Sequence, residues 1–513
     1  MLESCASAIP GMATVLTLIA ASFLLYARLL SYPPVWDDHT FVQGQPFLRQ
    51  PANLTLILGL KSFREPLPVR GAARPLWLAS LLIDRALANG RFGIFRASNI
   101  LWHGFAAASL LALVWQLTLS KKTALAAAAL FLCHPVNSEA VSLVTNRADI
   151  MTSTFCILAL CFYCKGRLAS NRRAFWAASL TCFAAALLSK EMAAIFPLLV
   201  LLADYLFPVP RTSRAPFLVC CAVLTVLYIG FRTPRSGYRL EGTKDIFSVV
   251  QSRHPKIFTP FDSPSPRVSP HSSIPQVPPW LADYYADPEV RLRTSLSILA
   301  DNVRLLLWPA RLQADYAPRP PRRWLSPAPV LGILALGLML GAAWTLRHRQ
   351  PLASFGLLWT FATLLPVSGI FLLRNLEAER YLYFPGAGVC MAAACGLRAL
   401  WSRGSRGQTG ALALGASLTL LGAARIGMRL PDFSSDIALH EATVKNDPSV
   451  PRAHLALAEA YTDSNRLDFA RSHLCQALDL WPDYHKAAIA LAQLEGGCLR
   501  PIRPTPQVLS PDF

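Results

Sequence analysis

The stretch of the sequence that is richest in chemically useful side chains is HPVNSEAVSLVTNRADI, residues 134–150, which lies between two apolar runs. The runs at 123–133 and 151–164 have the composition of membrane helices, so we expect this polar insert at a bilayer surface. Its ionisable residues include Glu139, Arg147 and Asp149. Ionisable groups near membrane depth are costly and tend to mark function, although a solvated loop between helices is the simpler alternative.

Three further polar clusters lie beside apolar runs. They are WDD at 36–38, SKE at 189–191 and ERY at 379–381. Each also has a plain structural interpretation: a turn for the first, side chains reaching for the membrane interface for the second, and an aromatic-belt anchor for the third. A functional interpretation requires that the helices bring these segments to one side of the membrane.

The residue types in these clusters suit the transfer of a sugar from a lipid phosphate. A carboxylate next to the bilayer can accept the proton of an incoming hydroxyl, and we predict that Asp37 or Asp38 is this base. A positive side chain can hold the leaving phosphate, and the candidates are Arg147, Lys190 and Arg380. We expect no bound metal, because one or two loosely held carboxylates make a poor divalent-cation site.

The composition indicates a membrane protein. The 513 residues are 53% hydrophobic and only 15% charged, and the mean hydropathy is +0.37. The net charge of +19 comes from basic residues clustered between apolar runs, which favours loop orientation and anionic headgroups over nucleic acid as its cause. Most of the 12 cysteines lie inside apolar runs. Cys161 and Cys164 have CxxC spacing but no nearby histidine, so we interpret them as small buried hydrophobic residues.

The elements that must position the polar clusters are about eleven apolar runs, which we predict to be spanning helices. They lie at 11–30, 99–119, 123–133, 151–164, 174–188, 192–207, 217–231, 329–346, 355–373, 381–400 and 411–428. We interpret the first as an uncleaved anchor and not as a signal peptide. The predicted fold class is an all-α, polytopic membrane helix bundle spanning residues 1–430.

Short basic loops set the orientation of this bundle, because they belong on the cytoplasmic side. One alternation places the loops at 121–122, 165–173 and 208–216 inside. The same alternation places the first loop at 31–96 and the second at 134–149 outside. SKE at 189–191 also falls on this extracytoplasmic side.

Two segments between the predicted spans need separate interpretations. Residues 74–87 have helical apolar spacing but are too short and charged to span, which predicts an interfacial amphipathic helix. Residues 232–294 form a Pro/Ser-rich extracytoplasmic loop that ends in a short helix near 280–285. The run at 293–309 is ambiguous because Asp301 and Arg304 interrupt it; we prefer a non-spanning helix, since a spanning one would invert everything after it.

The carboxy-terminal part, residues 431–498, is predicted to be a soluble helical tail. Residues 451–484 fit one tetratricopeptide repeat of the 34-residue pattern, and half-repeats flank it at 436–448 and 485–495. The matching positions are His454, Leu457, Ala458, Tyr461, Ala470, Leu474, Ala477 and Pro482. One full repeat with two half-repeats buries little surface, and we therefore expect the tail to dock on the membrane domain or on a partner. Residues 499–513 are expected to be disordered.

The order of these motifs resembles the transmembrane and tetratricopeptide-repeat O-mannosyltransferase family. The resemblance rests on VWDDH, RPL at 74–76, FRASNILWH at 95–103, HPVNSEAVSLVTNRADI, SKE, ERYLYFP at 379–385 and the repeat tail. It implies a fold similar to GT-C-type glycosyltransferases, which use polyprenyl-phosphate sugars on the extracytoplasmic or luminal side. Arg96 stands where a histidine is common in the family.

The resemblance also implies roles for particular residues. Asp37 and Asp38 match the acidic catalytic motif of the first loop, and Glu139, placed with the catalytic residues, matches the second-loop site together with Arg147 and Asp149. The residues that we expect to support the site are His134, Asp149, Glu191, Glu379 and Arg74.

The sequence therefore predicts a membrane glycosyltransferase that moves mannose from a polyprenyl or dolichyl phosphate to Ser/Thr hydroxyls of proteins. Its expected partners are the lipid-linked sugar, a protein acceptor and membrane lipids, with no cofactor and no nucleic acid. We expect it in the plasma membrane of a bacterium or the endoplasmic reticulum membrane of a eukaryote. The alternatives are a non-catalytic scaffold with a repeat tail, and a transporter or flippase of lipid-linked sugars, which would carry charges in mid-span and inverted repeats.

Overall fold

The computed structural model of the protein describes residues 11–59, 73–209, 214–235, 279–370 and 375–494. The expected disorder at 499–513 and most of the predicted loop at 232–294 lie outside these ranges. Within them all regular secondary structure is helical and no strand occurs, which confirms the predicted all-α class. The principal helices of the membrane part are α1 Met12–Tyr26, α2 Asn53–Leu58, α3 Pro75–Ala88, α4 Gly93–Thr118, α5 Lys121–Leu132, α6 Asn137–Ser142, α7 Arg147–Gly166, α8 Arg172–Ser189, α9 Phe196–Leu206, α10 Ala215–Arg235, α11 Pro279–Ala286, α12 Pro288–Leu307, α13 Pro327–Leu346, α14 Pro351–Leu364, α15 Tyr383–Trp401 and α16 Ser405–Arg429.

Seven helical segments in the described part of the chain are long and apolar enough to cross a membrane. They are Met12–Ser31, Gly93–Thr118, Val144–Gly166, Ala215–Arg232, Pro327–Leu346, Glu379–Trp401 and Ser405–Ser434. The other four predicted spans also form helices, but α5, α9 and α14 have only 12, 11 and 14 residues. The fourth, α8, begins with two arginines. The polytopic bundle is confirmed, and length and composition support seven crossings directly.

Small residues allow the helices to pack closely. A Cβ atom built on Gly356 of α14 would lie 2.4 Å from the carbonyl oxygen of Gly388 in α15, and one built on Gly388 would lie 2.3 Å from that of Gly356. Any larger residue at either position would force the two backbones apart. Glycine at both positions therefore permits the close helix contact that is typical of membrane bundles.

The segments at 74–87 and 293–309 both form helices that are not among the seven candidate spans. Helix α3 buries Trp77, Leu81 and Asp84 and leaves the apolar side chains of Ile83 and Leu87 exposed. Its position at the membrane interface stays a prediction. Helix α12 covers most of the second segment. Its charged residues are Glu289, Arg291, Arg293, Asp301 and Arg304.

The described part of the tail, up to residue 494, contains four α-helices, α17 Asp436–Asn446, α18 Pro451–Asp463, α19 Leu467–Leu480 and α20 His485–Gln493. Helices α18 and α19 pack together as a hairpin. All the predicted repeat positions except Pro482 are buried, and they are His454, Leu457, Ala458, Tyr461, Ala470, Leu474 and Ala477. The predicted pattern thus coincides with the core of the hairpin, while its classification as a tetratricopeptide repeat stays a prediction.

The tail docks on the loops of the membrane part. Arg452 at the start of α18 lies 2.5 Å from Asp315, and Asn446 of α17 donates to the carbonyl of Leu312 at 2.8 Å. Asp436 of α17 contacts the first loop through His39 at 2.8 Å. The tail and the WDD motif therefore lie at the same end of the bundle, as the non-spanning interpretation of residues 293–309 requires.

Candidate functional site

The WDD motif follows two prolines that hold the chain extended after the first helix. Trp36 has a φ of 53°, a left-handed conformation that is uncommon for a bulky residue and costs free energy. Asp37 is half-buried, whereas Asp38 is fully buried. The two adjacent carboxylates thus lie in different environments.

Asp38 links the first loop to the second. Its Oδ1 accepts a hydrogen bond from the backbone N–H of Thr145 at 2.9 Å, and its Oδ2 accepts one from Val144 at 3.2 Å. Burial raises the pKa of Asp38, and the opposing effect of Arg96 and of the two N–H groups does not cancel this rise. Because both oxygens are engaged and buried, Asp38 is suited to hold the loops together and not to meet a substrate.

Arg96, the residue that departs from the family pattern, supports the same junction. Its side chain is fully buried, its Nη2 donates to the carbonyl of Pro33 at 2.8 Å, and the same atom lies 3.9 Å from Asp38. Arg96 of α4 therefore fixes the start of the first loop to the helix bundle.

Arg147, predicted as a phosphate ligand, is fully buried and surrounded by protein acceptors. It donates to Asn99 Oδ1 at 2.6 Å and to the carbonyl of Phe95 at 2.9 Å, and its Nη2 lies 2.5 Å from Asp84. Asp84 is a partner that sequence reasoning missed, although a lone carboxylate on the apolar face of α3 is a signal that could have identified it. The arrangement uses Arg147 to fasten α3 and α4 to α7.

Glu139 holds Arg380, and both residues were predicted members of the site. Its Oε1 accepts from Arg380 Nη1 at 2.6 Å, and its Oε2 accepts from the backbone N–H of Arg380 at 2.9 Å. Asn146 donates to Oε1 at 3.3 Å. The side chain of Glu139 is fully buried, while that of Arg380 is 12% exposed, so the arginine is the member of the pair that can reach a ligand.

Asp149 and Lys190 form a second buried pair next to the first. Lys190 Nζ donates to Asp149 Oδ1 at 2.5 Å. Burial lowers the pKa of Lys190, and the attraction to Asp149 only partly restores it. Lys190 Nζ lies 5.3 Å from the ring centroid of Tyr381, and the guanidinium carbon of Arg380 lies 5.1 Å from it. Two cations therefore flank a single aromatic ring.

Glu191 joins two further arginines at the more open part of the site. Its Oε1 lies 3.1 Å from Arg74 and 3.3 Å from Arg232, and each of the three side chains is about one-third exposed. Burial would raise the pKa of Glu191, but Arg74, Arg232 and Lys190 outweigh it and the pKa is lowered. Arg232 was not predicted, because it lies at the end of a predicted span where a basic residue is ordinary.

These contacts form one charged cluster at the end of the bundle. Its cations are Arg74, Lys190, Arg232 and Arg380, and its anions are Glu139, Asp149 and Glu191. The turn at residues 144–146 connects it to the WDD motif, since Asp38 binds the first two residues and Asn146 binds Glu139. Among the residues that the structure describes, the positive groups of this cluster exceed the negative ones by one, so the cluster is suited to an anionic ligand.

His134 and Glu379, predicted as supporting residues, hold neighbouring loops. His134 Nε2 donates to the carbonyl of Leu306 at 3.0 Å, and burial lowers the pKa of this histidine. Glu379 accepts from the backbone N–H of Gln313 at 2.5 Å and from the Tyr316 hydroxyl at 2.9 Å. Glu379 also lies 3.5 Å from the buried Arg429.

Among the residues that the structure describes, no three or more His, Cys, Asp or Glu side chains are grouped in a way that could hold a metal ion. The carboxylates of the charged cluster are instead paired with Arg and Lys. Metal independence stays a prediction.

The fold and the site define a polytopic helical membrane protein with a largely buried, positively charged cluster at the end of the bundle on which the tail docks. Comparison with known proteins identifies relatives of the chain. The chain is 24% identical over 495 residues to protein O-mannosyl-transferase F38B6.6 of Caenorhabditis elegans, covering 93% of this chain and 64% of that protein. It is 26% identical over 526 residues to human protein O-mannosyl-transferase TMTC1, covering 96% and 58%.

Mouse protein O-mannosyl-transferase TMTC3 is 24% identical over 439 residues, covering 80% of this chain and 44% of that protein. The chain is thus similar, over most of its length, to several proteins of the TMTC family, which confirms the resemblance carried by the motifs. It spans between 44% and 64% of the length of these three relatives. No family model and no solved structure matches the chain.

Proposed function

We propose that the protein is an integral-membrane glycosyltransferase that moves mannose from a polyprenyl phosphate to Ser/Thr hydroxyls of proteins. The observation that carries this proposal is the charged cluster, in which four cations converge and which the turn at residues 144–146 connects to the WDD motif. The similarity to proteins named protein O-mannosyl-transferases supports the choice of reaction.

Asp37 is the general base in this proposal, because Asp38 is buried with both oxygens bound to backbone N–H groups. The acceptor oxygen forms a bond to the anomeric carbon while the bond between that carbon and the donor phosphate oxygen breaks. The hydroxyl proton passes to the carboxylate of Asp37, and the polyprenyl phosphate leaves with the electron pair.

The cluster provides electrostatic stabilisation of the leaving phosphate. Arg74 and Arg232 are the accessible cations, and the Glu191 carboxylate between them marks a position that suits an anion. Arg380 and Lys190 lie deeper, where the lower local dielectric strengthens their attraction to developing negative charge. Glu139 and Asp149 hold these two cations in place and make no contact with the substrate.

The test is a transfer assay with labelled polyprenyl-phosphate-mannose in membranes that contain the wild type or a variant. Asp37→Asn should lower turnover by roughly 100-fold or more and leave thermal stability unchanged. Asp38→Asn should lower stability as well as turnover, because it removes the charge that holds two N–H groups. Asp468→Asn, at a side chain that is 97% exposed in the tail, is the matched control. Full activity of Asp37→Asn at equal expression would refute the assignment.

We further propose that the site faces the extracytoplasmic or luminal side, as the basic-loop alternation predicts. Single cysteines at His39 and Asp468, in a cysteine-free background, should react with a membrane-impermeant maleimide added from outside, or from the lumen of oriented vesicles. A cysteine at the exposed Ser170 in the basic loop should react only from the cytoplasmic side. The reverse pattern would rule out this orientation.

A further inference from the structure

We propose that Asp436, the first residue of tail helix α17, is a positioning residue that fixes the backbone around Asp37. This inference rests on the proposed function, in which Asp37 is the base. It assigns the tail a role in the reaction site itself, besides any contact with the acceptor protein.

The carboxylate of Asp436 binds the residues on both sides of the acidic pair. Its Oδ1 accepts a hydrogen bond from the backbone N–H of Trp36 at 2.6 Å. Its Oδ2 lies 2.8 Å from Nε2 of His39. One side chain therefore clamps the beginning and the end of the segment 36–39 from a position about 400 residues further along the chain.

The Trp36 backbone needs such a partner. Its φ of 53° is unfavourable for an aromatic residue and persists only where surrounding contacts determine it. The hydrogen bond from the backbone N–H of Trp36 to Asp436 supplies one of these contacts. A second comes from the edge-to-face packing of the Trp36 and His440 rings, whose centroids are 5.9 Å apart. Both contacts come from α17.

The His39 ring faces an acceptor at each nitrogen. Nδ1 lies 3.1 Å from Oε1 of Gln43, and Nε2 lies 2.8 Å from Asp436. An imidazole can donate from both nitrogens only when it is protonated, so this arrangement favours the imidazolium. Burial would lower the pKa of His39, but the hydrogen bonds to Asp436 and Gln43 and the charges of Asp436 and Asp38 outweigh it, and the pKa is raised.

The clamp is rigid because α17 is fixed to the membrane part independently of His39. Thr443 Oγ1 accepts from the backbone N–H of Ala314 at 3.3 Å, and Asn446 donates to Leu312 at 2.8 Å. On the opposite side, Asp38 is held by Val144 and Thr145. The backbone on both sides of Asp37 is therefore fixed, by the second loop through Asp38 and by the tail through Asp436.

The kinetic test uses the full-length protein and compares Asp436→Ala, Asp436→Asn and the exposed control Asp468→Ala. Asp436→Ala should lower kcat roughly 10- to 100-fold with little change in the KM for the lipid donor, because base geometry is lost and donor contacts are not. Asp436→Asn should recover part of kcat, since its amide oxygen can still accept from Trp36. Wild-type kcat in Asp436→Ala would overturn the inference.

The pH profile separates positioning from general structure. Wild-type activity should decline as pH rises through the pKa of His39, because a neutral ring can donate from only one nitrogen. The charged groups that face His39 are Asp436 and Asp38. Burial lowers the pKa of His440 to about 4, so His440 stays neutral over the pH range of the assay. His39→Gln keeps a donor towards Asp436 and should remove this decline. An unchanged decline in His39→Gln would contradict the clamp.

A cross-linking experiment tests the contact without any activity. Cysteines at His39 and Asp436 are joined by a short bifunctional maleimide in a cysteine-free chain that carries a protease site in the loop at 232–294. After cleavage, the cross-linked halves should stay together, whereas cysteines at His39 and Asp468 should not join them. Separation of the first pair would refute the contact itself. If the halves stay joined but the wild type shows no mannosyl transfer, the proposed function is overturned, and the positioning role with it. The contact between His39 and Asp436 would still stand.

Discussion

Glu139 binds Arg380 at two points, the guanidinium at 2.6 Å and the backbone N–H at 2.9 Å, across 241 residues of sequence. One carboxylate thus fixes both the charge and the main chain of the ERY segment. A group that is fully buried and doubly engaged in this way positions its partner and is poorly placed to attack a substrate. This relationship changes the interpretation of the second-loop motif from reactive residues to residues that hold the reactive cations.

The first prediction concerns this pair. Glu139→Ala leaves the Arg380 guanidinium without its carboxylate in a largely buried position, so we expect a loss of roughly 3–5 kcal/mol of stability. Glu139→Gln keeps an acceptor and should lose less stability but still lower transfer. The measurement is thermal unfolding in detergent beside transfer activity. Glu459→Ala, at an exposed tail position, is the control; equal melting of Glu139→Ala and this control would contradict the account.

The second prediction concerns Arg232, which sequence reasoning missed. Arg232→Ala removes one accessible cation beside Glu191 and should raise the KM for the lipid donor by roughly 5- to 20-fold. A hydrogen bond to a charged group contributes about 1.5–3 kcal/mol, and solvent screening reduces this contribution because Arg232 is partly exposed. Arg232→Lys should have a smaller effect. Arg214→Ala, a half-exposed arginine paired with Asp204, is the matched control. A donor KM that is unchanged in Arg232→Ala would remove Arg232 from the phosphate site.

Local patterns in the sequence identified the helices and most members of the cluster. Hydrophobic runs mark helices, and basic loops mark one side of the membrane, so WDD, SKE and the insert at 134–150 could be assigned to a common side. The structure brings these segments together with ERY and places Lys190 and Arg380 on one aromatic ring.

The pairing of the charged residues could not be predicted, because it depends on contacts between distant segments. Nothing near Glu191 indicates Arg232, and nothing near His39 indicates Asp436. Assigning Asp37 and Asp38 to different environments also required the structure, since adjacent residues of one type share every local pattern. Burial and hydrogen-bond partners distinguish the two aspartates, and the sequence carries neither directly.

The third prediction is a pH dependence of stability from Glu377. Burial, with a contribution from Asp301, raises the pKa of this carboxyl group to about 8 in the folded protein. Between about pH 4.5 and pH 8 the folded state therefore keeps a proton on Glu377 that the unfolded state has lost. This group makes the free energy of unfolding fall as pH rises through that interval, by at most roughly 1.4 kcal/mol per pH unit.

Glu377→Gln should abolish this contribution. The variant should melt at a higher temperature than the wild type at pH 8, and the difference should shrink towards pH 5, where the wild type keeps its proton. The measurement is thermal unfolding in detergent across this pH range. A constant difference between the two proteins at every pH would show that Glu377 does not titrate in this interval.

The fourth prediction separates the structural and chemical roles of Lys190. Lys190→Met leaves the buried Asp149 carboxylate unpaired, which should cost roughly 3–5 kcal/mol of stability and also lower transfer. Asp149→Asn combined with Lys190→Met removes both charges, so stability should recover because no buried charge is left without a partner. Transfer should stay low in the double variant, since the cation that serves the phosphate is still missing. Thermal unfolding and the transfer assay on the wild type, both single variants and the double variant complete the cycle. If the double variant regained both stability and transfer, Lys190 would serve only to neutralise Asp149, and its place in the phosphate site would be lost.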